Sequence, residues 1–400
     1  MTTAAVGSET WWQSKTGPQW QREGDTCQVT FWWRDPQGTE LTSATCRVWI
    51  YITGVTDHHH DAAPQSMTRI VGTDVWYWQT VLPAQWRGSY CFIPSRQQDD
   101  FDAQVFDETT RDKQAVREGW RKLLPNAIAD PLNHLSWRGG RGHPFCALAL
   151  EDAPHQPGWN AAQTAYRDPH CLLWQSTMLA NTRRVWIYTT GESAAPDRPL
   201  AILLDGQFWA ESMPIWSPLA TLTAEGQLPA AVYLLIDVID DKHRSRELPC
   251  YQDFWLAIQQ ELLPIVMSIA PFSAKADRTL VAGQSFGGLS ALYAGLNWPE
   301  RFGCVLSQSG SYWWPDRQGK HEGILIEQLK NHQISASGLR IILQAGRREP
   351  LILRVNQTLY PLLASAKERW LYEIEGGHDA FCWRGGLTAG LIALWQPLAE

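Results

Sequence analysis

The stretch Val281-Ala282-Gly283-Gln284-Ser285-Phe286-Gly287-Gly288-Leu289-Ser290-Ala291-Leu292-Tyr293-Ala294 decides the fold of this chain. It predicts the end of a buried strand, a sharp turn, and a helix of small residues. The turn spells Gly-x-Ser-x-Gly, with Ser285 at its apex. In this context the pattern is typical of a nucleophile elbow, where glycines on either side of the serine allow strand and helix to approach closely. We expect Ser285 to be a nucleophile; the alternative is an ordinary tight turn with a surface serine.

An oxyanion formed during attack by Ser285 needs hydrogen-bond donors. The main-chain N–H of Phe286 is predicted to begin a helix, where amide donors are unpaired and negative charge is favoured. A second donor is expected from the loop after an early buried strand. The run Leu203–Trp209 fits that place, so we predict the N–H of Gln207 as the second donor. Asp205 is interpreted as a structural residue of the same loop.

The first 155 residues have the pattern of an all-β domain. Short β-branched and aromatic runs between turn residues predict a β-sandwich. These runs cover residues 27–34, 46–52, 75–81 and 88–94, and residues 107–124 have helical character. We therefore place an N-terminal β-sandwich domain at 1–155, ending in a Pro- and Gly-rich linker.

From about residue 165 onward, predicted strands and helices alternate. This alternation indicates a parallel or mixed sheet covered by helices. A long helix is expected over residues 253–269 and a final one from about Leu387 to Leu398. Together with the elbow, the pattern predicts an α/β-hydrolase catalytic domain at 156–400.

Composition excludes several classes of function. The net charge of −7 across 400 residues argues against general nucleic-acid binding. No apolar run approaches the length of a membrane span, and the first residues lack a secretory pattern. We expect a cytoplasmic protein whose eight cysteines are reduced thiols.

The triplet His58-His59-His60 invites a metal-binding interpretation. Consecutive strand residues point to opposite faces, so the three rings would not converge on one ion. We expect an exposed polar loop, with no metal and no cofactor. Metal binding is kept only as a hypothesis from composition.

A serine nucleophile needs a base, and the base needs an acid, in the chain order Ser, acid, His. His378 follows the last predicted strand and is the expected base, whereas His321 and His332 lie in a charged stretch expected to be exposed. Glu349 follows the strand 339–346 and is the expected acid. Asp379 is the alternative acid, but its position next to His378 favours a bracing role.

Arginines cluster in the loops expected above the sheet. Several arginines near one active-site rim favour an anionic substrate, although a single arginine is usually solvated surface. The cluster comprises Arg183, Arg184, Arg244, Arg246, Arg347 and Arg348.

Taken together, these residues resemble the enterochelin (enterobactin) esterase family over essentially the whole chain. The resemblance is carried by six segments, residues 183–191, 203–210, 243–250, 283–288, 307–314 and 376–379.

The resemblance implies an immunoglobulin-like N-terminal domain and hydrolysis of the three ester bonds of ferric enterobactin, a siderophore, to 2,3-dihydroxybenzoylserine. It also implies that substrate catecholates meet Arg183, Arg184, Arg244 and Arg246, with Trp209, Trp313, Trp314 and Trp383 beside the aryl rings. Two alternatives stay open. One is a general carboxylesterase, acyltransferase or thioesterase, and the other is a non-catalytic siderophore-binding protein.

Overall fold

The structure is a computed structural model that describes residues 4–60, 62–96, 101–139, 142–159, 164–192, 197–317 and 322–395. It forms two compact units, one comprising Met1–Pro154 with Glu375–Cys382 and the other His155–Ile374 with Trp383–Glu400. We keep 1–155 and 156–400 as our proposal for the folding domains. The segment Glu375–Cys382, which carries His378, is an exception to that division that the sequence pattern did not reveal.

The N-terminal unit contains two antiparallel sheets in its described residues. Its strands are β1 (Gln19–Glu23), β2 (Thr26–Arg34), β3 (Arg47–Ile52), β4 (Gln65–Ser66), β5 (Thr68–Arg69), β6 (Val75–Pro83), β7 (Arg87–Ser95), β8 (Ser136–Arg138) and β9 (Pro144–Ala149). One sheet has the order β1-β2-β6-β5 and the other β4-β3-β7-β9-β8. Short helices are α1 (Glu9–Gln13) and α2 (Lys113–Leu123).

Alternation along β3 explains how the N-terminal unit is layered. Val48, Ile50 and Ile52 belong to a core that also includes residues of β2, so the two sheets form a sandwich. Trp49 and Tyr51 point to the opposite face, where they pack with residues of α2.

Helix α2 begins later than the predicted start at residue 107. Asp112 accepts a hydrogen bond from the Gln114 N–H at 2.8 Å and so caps the helix at this point. The predicted apolar face is nevertheless buried, with Trp120 fully enclosed.

The second unit contains a sheet of eight strands in its described residues. They are β10 (His170–Ser176), β11 (Asn181–Thr189), β12 (Leu200–Leu203), β13 (Val232–Ile236), β14 (Thr279–Gln284), β15 (Cys304–Gln308), β16 (Arg340–Gly346) and β17 (Glu368–Ile374). Their order is β10-β11-β13-β12-β14-β15-β16-β17. Strands β10 and β11 are antiparallel to their neighbours and the other pairs are parallel. This is an α/β-hydrolase-like sheet, and its central strands are apolar because both faces are buried.

Helices of the second unit follow the strands. They are α3 (Trp216–Ala224), α4 (Asp241–Glu247), α5 (Gln252–Ala257), α6 (Leu263–Ile269), α7 (Phe286–Asn297), α8 (Ile324–Lys330) and α9 (Pro350–Leu362). Helix α10 (Ala380–Trp395) ends in this unit but begins in Glu375–Cys382. It starts seven residues before the predicted Leu387, and the predicted end at Leu398 lies outside the described residues.

The long helix predicted over 253–269 is interrupted. A wide turn of π type, Ile258–Leu262, separates α5 from α6. Pro264 lies in the first turn of α6. Proline has no N–H to donate and its ring crowds the carbonyl four residues earlier, so a regular α-helix cannot pass through this position unchanged.

Candidate active site

Ser285 lies between β14 and α7 with φ 59° and ψ −117°. A positive φ is strained for a residue with a side chain, so neighbouring contacts must hold it. The Ser285 N–H donates to the Gln308 carbonyl at 2.9 Å, and its own carbonyl accepts from the Ser311 N–H at 3.1 Å. The Oγ atoms of Ser285 and Ser311 are 3.3 Å apart. The half-buried Ser285 is therefore fixed in a turn of the elbow type.

Of the two glycines that flank Ser285 in the motif, only Gly283 lies where a side chain would clash. A Cβ on Gly283 would lie 2.3 Å from the carbonyl carbon and oxygen of Gly287, which no side chain can tolerate. A Cβ on Gly287 would make ordinary contacts, the nearest 3.4 Å from Asp205 Oδ2. The expectation that both positions require glycine for close approach is wrong at Gly287, because the space there accepts a methyl group.

The loop after β12 carries Gln207, the second predicted oxyanion donor. Gly206 brings this loop onto β13, since a Cβ there would lie 2.3 Å from the Ile236 nitrogen. The side-chain oxygen of Gln207 accepts from the Val238 N–H at 3.2 Å. The main-chain N–H groups of Gln207 and Phe286 both lie at helix starts, where intrahelical acceptors are lacking. Their joint action on one oxyanion remains a prediction.

Asp205 and Arg244 tie this loop to the elbow. The Arg244 guanidinium donates to Asp205 Oδ1 at 2.6 Å and to Asp205 Oδ2 at 2.9 Å. It also donates to the carbonyl of Gln284, the residue before Ser285, at 3.3 Å. Such a two-pronged charged pair is geometrically demanding and holds its partners in place. Asp205 thus has the structural role that the sequence indicated.

Glu349 is a buried carboxylate at the end of β16. Its side chain is 1% exposed, and Oε2 accepts from the Ser309 hydroxyl and from the Gly346 N–H, each at 2.8 Å. Ser309 Oγ in turn accepts from Trp383 Nε1 at 2.9 Å. Glu349 also stands immediately before α9, where a negative charge is favoured by the helix N-terminus, and its role as the acid stays a prediction.

His378 lies in the Glu375–Cys382 segment of the N-terminal unit. Its ring stacks on that of His59, with centroids 4.4 Å apart and planes inclined by 28°. A Cβ on Gly377 would lie 2.5 Å from the Gly54 nitrogen, so the chain before His378 packs directly on the β-sandwich unit. This packing fixes the backbone that carries the proposed base.

Asp379 anchors the same segment. Its Oδ2 accepts from the Thr53 hydroxyl at 2.6 Å and the Ser89 N–H at 2.5 Å. Its Oδ1 accepts from the Ser89 hydroxyl at 2.5 Å and the Phe381 N–H at 2.9 Å. Burial raises the pKa of Asp379, while these hydrogen bonds act in the opposite direction. Four donors on one carboxylate agree with a bracing role.

Five of the six predicted rim arginines form ion pairs within the second unit. The pairs are Arg183–Glu247 at 2.5 Å, Arg184–Asp237 at 2.9 Å, Arg244–Asp205 at 2.6 Å, Arg246–Glu247 at 2.8 Å and Arg347–Glu373 at 3.7 Å. Arg183 is only 3% exposed. Its burial argues against the expected contact with a substrate. Arg184 and Arg246 keep 40% and 52% of their side chains exposed and so can meet a ligand.

The tryptophans predicted to line the site differ in exposure. Trp209 is 1% exposed, and its Nε1 donates to Gln284 Oε1 at 3.1 Å, which argues against an exposed aromatic wall at this position. Trp313, Trp314 and Trp383 are half-buried. Trp313 lies 5.8 Å from the Phe286 ring, centroid to centroid. Trp313 therefore offers ring surface beside the elbow.

The histidine triplet is not the exposed loop expected from the sequence. His58, His59 and His60 are each half-buried, and the His58 and His59 rings lie 4.2 Å apart. The Tyr51 hydroxyl is 3.1 Å from His58 Nδ1, which places the triplet against β3. Among the residues that the structure describes, no three His, Cys, Asp or Glu side chains are grouped to hold a metal ion. His321, weighed and set aside in the sequence, lies outside the described residues.

Sequence reasoning missed the polar residues that support the site. Ser309, Ser311 and the glutamines Gln284, Gln308 and Gln344 are all buried within it. A signal was present, because β14 and β15 end on glutamine and β16 carries its own glutamine two residues before its end. A buried polar residue at the end of an apolar parallel strand needs a partner.

Comparison with known proteins agrees with this architecture. The family model described as "Enterochelin esterase, N-terminal" matches residues 28–159, and the one described as "Putative esterase" matches residues 176–394, more than half of the chain. Iron(III) enterobactin esterase of Escherichia coli strain K12 is 62% identical over 400 residues, covering 100% of this chain and 99% of the relative. The protein of the same name from Dickeya dadantii is 45% identical, covering 98% of this chain and 93% of the relative.

Solved structures give the same result. The ferric enterobactin esterase of Salmonella typhimurium matches with a TM-score of 0.95 at 62% identity, covering 98% of this chain and 99% of the other. The enterobactin esterase of Shigella flexneri, crystallised in the presence of enterobactin, matches with a TM-score of 0.91 at 61% identity, covering 99% and 100%. The chain therefore belongs to the family of iron(III) enterobactin esterases.

Proposed function

We propose that this protein is a serine esterase that hydrolyses the ester bonds of the ferric enterobactin triserine lactone to 2,3-dihydroxybenzoylserine units. The observation that carries the proposal is the strained Ser285 at the elbow, together with 62% identity over the full chain to an iron(III) enterobactin esterase. A relative from Shigella flexneri was crystallised in the presence of enterobactin and of 2,3-dihydroxy-N-benzoyl-serine. These two compounds correspond to the substrate before iron loading and to the product that we propose.

The reaction proceeds by two acyl transfers. His378 accepts the Ser285 hydroxyl proton as Oγ attacks a seryl ester carbonyl, and the N–H groups of Phe286 and Gln207 stabilise the oxyanion, at about 3 kcal/mol per donor. The ester C–O bond breaks and the leaving serine hydroxyl takes the proton from His378. Water, deprotonated by His378, then attacks the acyl-enzyme carbonyl, the bond between that carbon and Ser285 Oγ breaks, and Oγ takes the proton back from His378 as the acid is released. Glu349 orients His378 and stabilises its cationic form.

Iron enters this scheme as part of the substrate and not as a resident cofactor of the protein. The exposed guanidinium groups of Arg184 and Arg246 and the half-buried rings of Trp313 and Trp314 offer charge and ring surface to a catecholate ligand. We propose that they contribute to substrate binding. Cleavage of the lactone in the cytoplasm then prepares the iron for release.

No helix in the described part of the chain is long and apolar enough to cross a membrane.

A substrate panel tests the choice of substrate. The wild-type protein is given ferric enterobactin, iron-free enterobactin, a p-nitrophenyl ester and an acyl thioester, and products are resolved by chromatography. We expect linear trimer, dimer and monomer from the lactone, with kcat/KM at least about a hundredfold above that for the simple ester. Preference for the simple ester or thioester would indicate a general esterase or thioesterase. Binding of the lactone without cleavage would indicate a siderophore-binding protein.

A further inference from the structure

Three buried glutamines form a ladder across the central sheet. Gln284, Gln308 and Gln344 lie opposite one another on β14, β15 and β16. Gln284 Nε2 donates to Gln308 Oε1 at 2.9 Å, and Gln308 Nε2 donates to Gln344 Oε1 at 2.5 Å. Their exposed fractions are 3%, 0% and 8%. We call this row the glutamine ladder.

The orientation of each amide is set by groups that bond Gln284, at one end of the ladder, and Gln308, in its middle. At one end Trp209 Nε1, which can only donate, bonds Gln284 Oε1 at 3.1 Å. At the middle residue, Gln308, the Trp383 carbonyl, which can only accept, lies 2.9 Å from Nε2. Flipping any amide would oppose two donors or two acceptors. Aligned amides polarise one another in a low-dielectric interior, which makes the row stiff.

Helix α10 closes over the ladder. A Cβ on Gly386 would lie 2.2 Å from Gln344 Oε1 and 2.6 Å from Gln308 Nε2, so a larger residue there would displace the two amides from their present positions. The ladder is thus a buried polar row that the helix covers without displacing. Each of its hydrogen bonds is shielded from competition by water.

The ladder connects the groups proposed for catalysis. Gln284 precedes Ser285, and the Gln308 carbonyl accepts from the Ser285 N–H at 2.9 Å. Gln308 precedes Ser309, the hydroxyl donor to Glu349, and the Gln344 carbonyl accepts from the Ser309 N–H at 2.7 Å. Through its side and main chains the row therefore spans from the nucleophile to the support of the acid.

We propose that the glutamine ladder is a positioning device, in which Gln308 sets the separation between the Ser285 turn and the Ser309–Glu349 pair for acyl transfer. This inference rests on the proposed function of Ser285 as nucleophile. Ser285 and Ser309 both hold a positive φ, 59° and 48°, so neither turn keeps its geometry by local preference alone. The stiff glutamine ladder beneath both turns supplies the constraint that holds these strained backbone conformations.

The test replaces Gln308 by methionine. Its side chain has a similar volume but lacks the amide group that donates and accepts the hydrogen bonds of the ladder. We expect Gln308→Met to lower kcat for ferric enterobactin by about tenfold to a hundredfold with KM within about twofold, because misplaced groups slow chemistry more than binding. We expect the same fall in the rate at which a fluorophosphonate labels Ser285. In that reaction Oγ forms a bond to phosphorus and fluoride leaves.

Gln156→Met is the matched control. Gln156 is a 1% exposed glutamine in the same unit whose Oε1 accepts from Arg384 Nε at 2.6 Å, and it has no place in the ladder. Assays are run at a temperature where both variants are fully folded by circular dichroism. A control that keeps wild-type kcat supports the proposal. A Gln308→Met variant with kcat and labelling rate within twofold of wild type, or a control that loses as much, would overturn it.

Two further readouts keep the test decisive. If Gln308→Met does not fold, Gln344→Met removes only the last acceptor, and a kcat unchanged in that variant overturns the proposal. If wild-type protein is labelled at Ser285 but leaves ferric enterobactin intact, the proposed function fails while the labelling rates still judge the ladder. Wild-type protein that is neither labelled nor active would overturn both.

Discussion

The Ser309 hydroxyl donates a hydrogen bond to Glu349 Oε2 at 2.8 Å, inside the protein, where Glu349 is 1% exposed. This contact joins the end of β15 to the loop after β16. A hydrogen bond to a charged group in such a place stabilises that group by about 1.5 to 3 kcal/mol. The proposed acid, Glu349, is therefore held in place by Ser309, a residue that no sequence motif predicted to have this role.

Removal of that hydroxyl is expected to slow the enzyme. Ser309→Ala should lower kcat for ferric enterobactin by about tenfold to a hundredfold, the kinetic equivalent of one charged hydrogen bond. Steady-state kinetics measure the change. Ser335→Ala removes a hydroxyl at the surface, 3.2 Å from Ser365, and serves as the control. Equal kcat in Ser309→Ala and the control would show that the contact has no catalytic part.

The two candidate acids should separate in a paired experiment. Glu349→Gln should lower kcat by about a hundredfold or more while the protein stays folded, because the base loses the charge that orients it. Asp379→Asn should instead lower the melting temperature, since its amide nitrogen cannot accept the hydrogen bonds now made to a carboxylate oxygen. Kinetics and thermal unfolding are measured on both variants. The reverse pattern would assign the acid role to Asp379.

Asp379 also gives a pH dependence with a definite sign. Burial raises its pKa in the folded state above the ordinary value of 3.8. The folded state therefore binds this proton more tightly, and the stability it contributes is full below pH 3.8 and is lost as pH rises through the raised pKa. The difference in unfolding free energy, wild type minus Asp379→Asn, should fall from pH 4 to pH 8. Urea titrations measure it, and a difference that rises with pH would contradict the assignment.

The cysteines should differ in their reactivity toward thiol reagents according to how exposed they are. Cys46 and Cys171 are exposed free thiols, whereas burial raises the pKa of Cys146 to about 11 and of Cys304 to about 12. Because the thiolate is the reactive form, native protein at pH 8 should react quickly with Ellman's reagent at the two exposed positions. Peptide mapping after alkylation identifies the modified residues. Rapid modification of Cys304 in folded protein would be inconsistent with its burial.

Much of the fold could be predicted from local patterns. The elbow, the apolar parallel strands and the alternating β3 each carry their signal within a few residues. Helix α2 was predicted too long because several acidic residues near Asp112 could equally have capped a helix. The sequence pattern did not single out Asp112 as the residue at which the helix begins. The π turn at Ile258–Leu262 could have been suspected from Pro264 alone.

Ion pairs and hydrogen bonds between residues that are distant in the chain could not be predicted from local sequence patterns. The arginine cluster predicted a positively charged rim. In the structure Arg183 pairs with Glu247, which lies 64 residues later in the chain, and Arg244 pairs with Asp205, which lies 39 residues earlier. Placement of His378 with the β-sandwich unit depends on Thr53 and Ser89, which bond its neighbour Asp379. Such pairings arise from the tertiary fold, and one sequence does not encode them in any local spacing.

The central claim is that Ser285 is the nucleophile of a ferric enterobactin esterase. The most direct measurement is chromatographic analysis of ferric enterobactin incubated with wild-type protein and with Ser285→Ala, which keeps a Cβ at the same strained φ of 59°. The account predicts linear trimer, dimer and monomer from the wild type, and intact lactone from a variant of unchanged secondary structure. Equal hydrolysis by both proteins would contradict it.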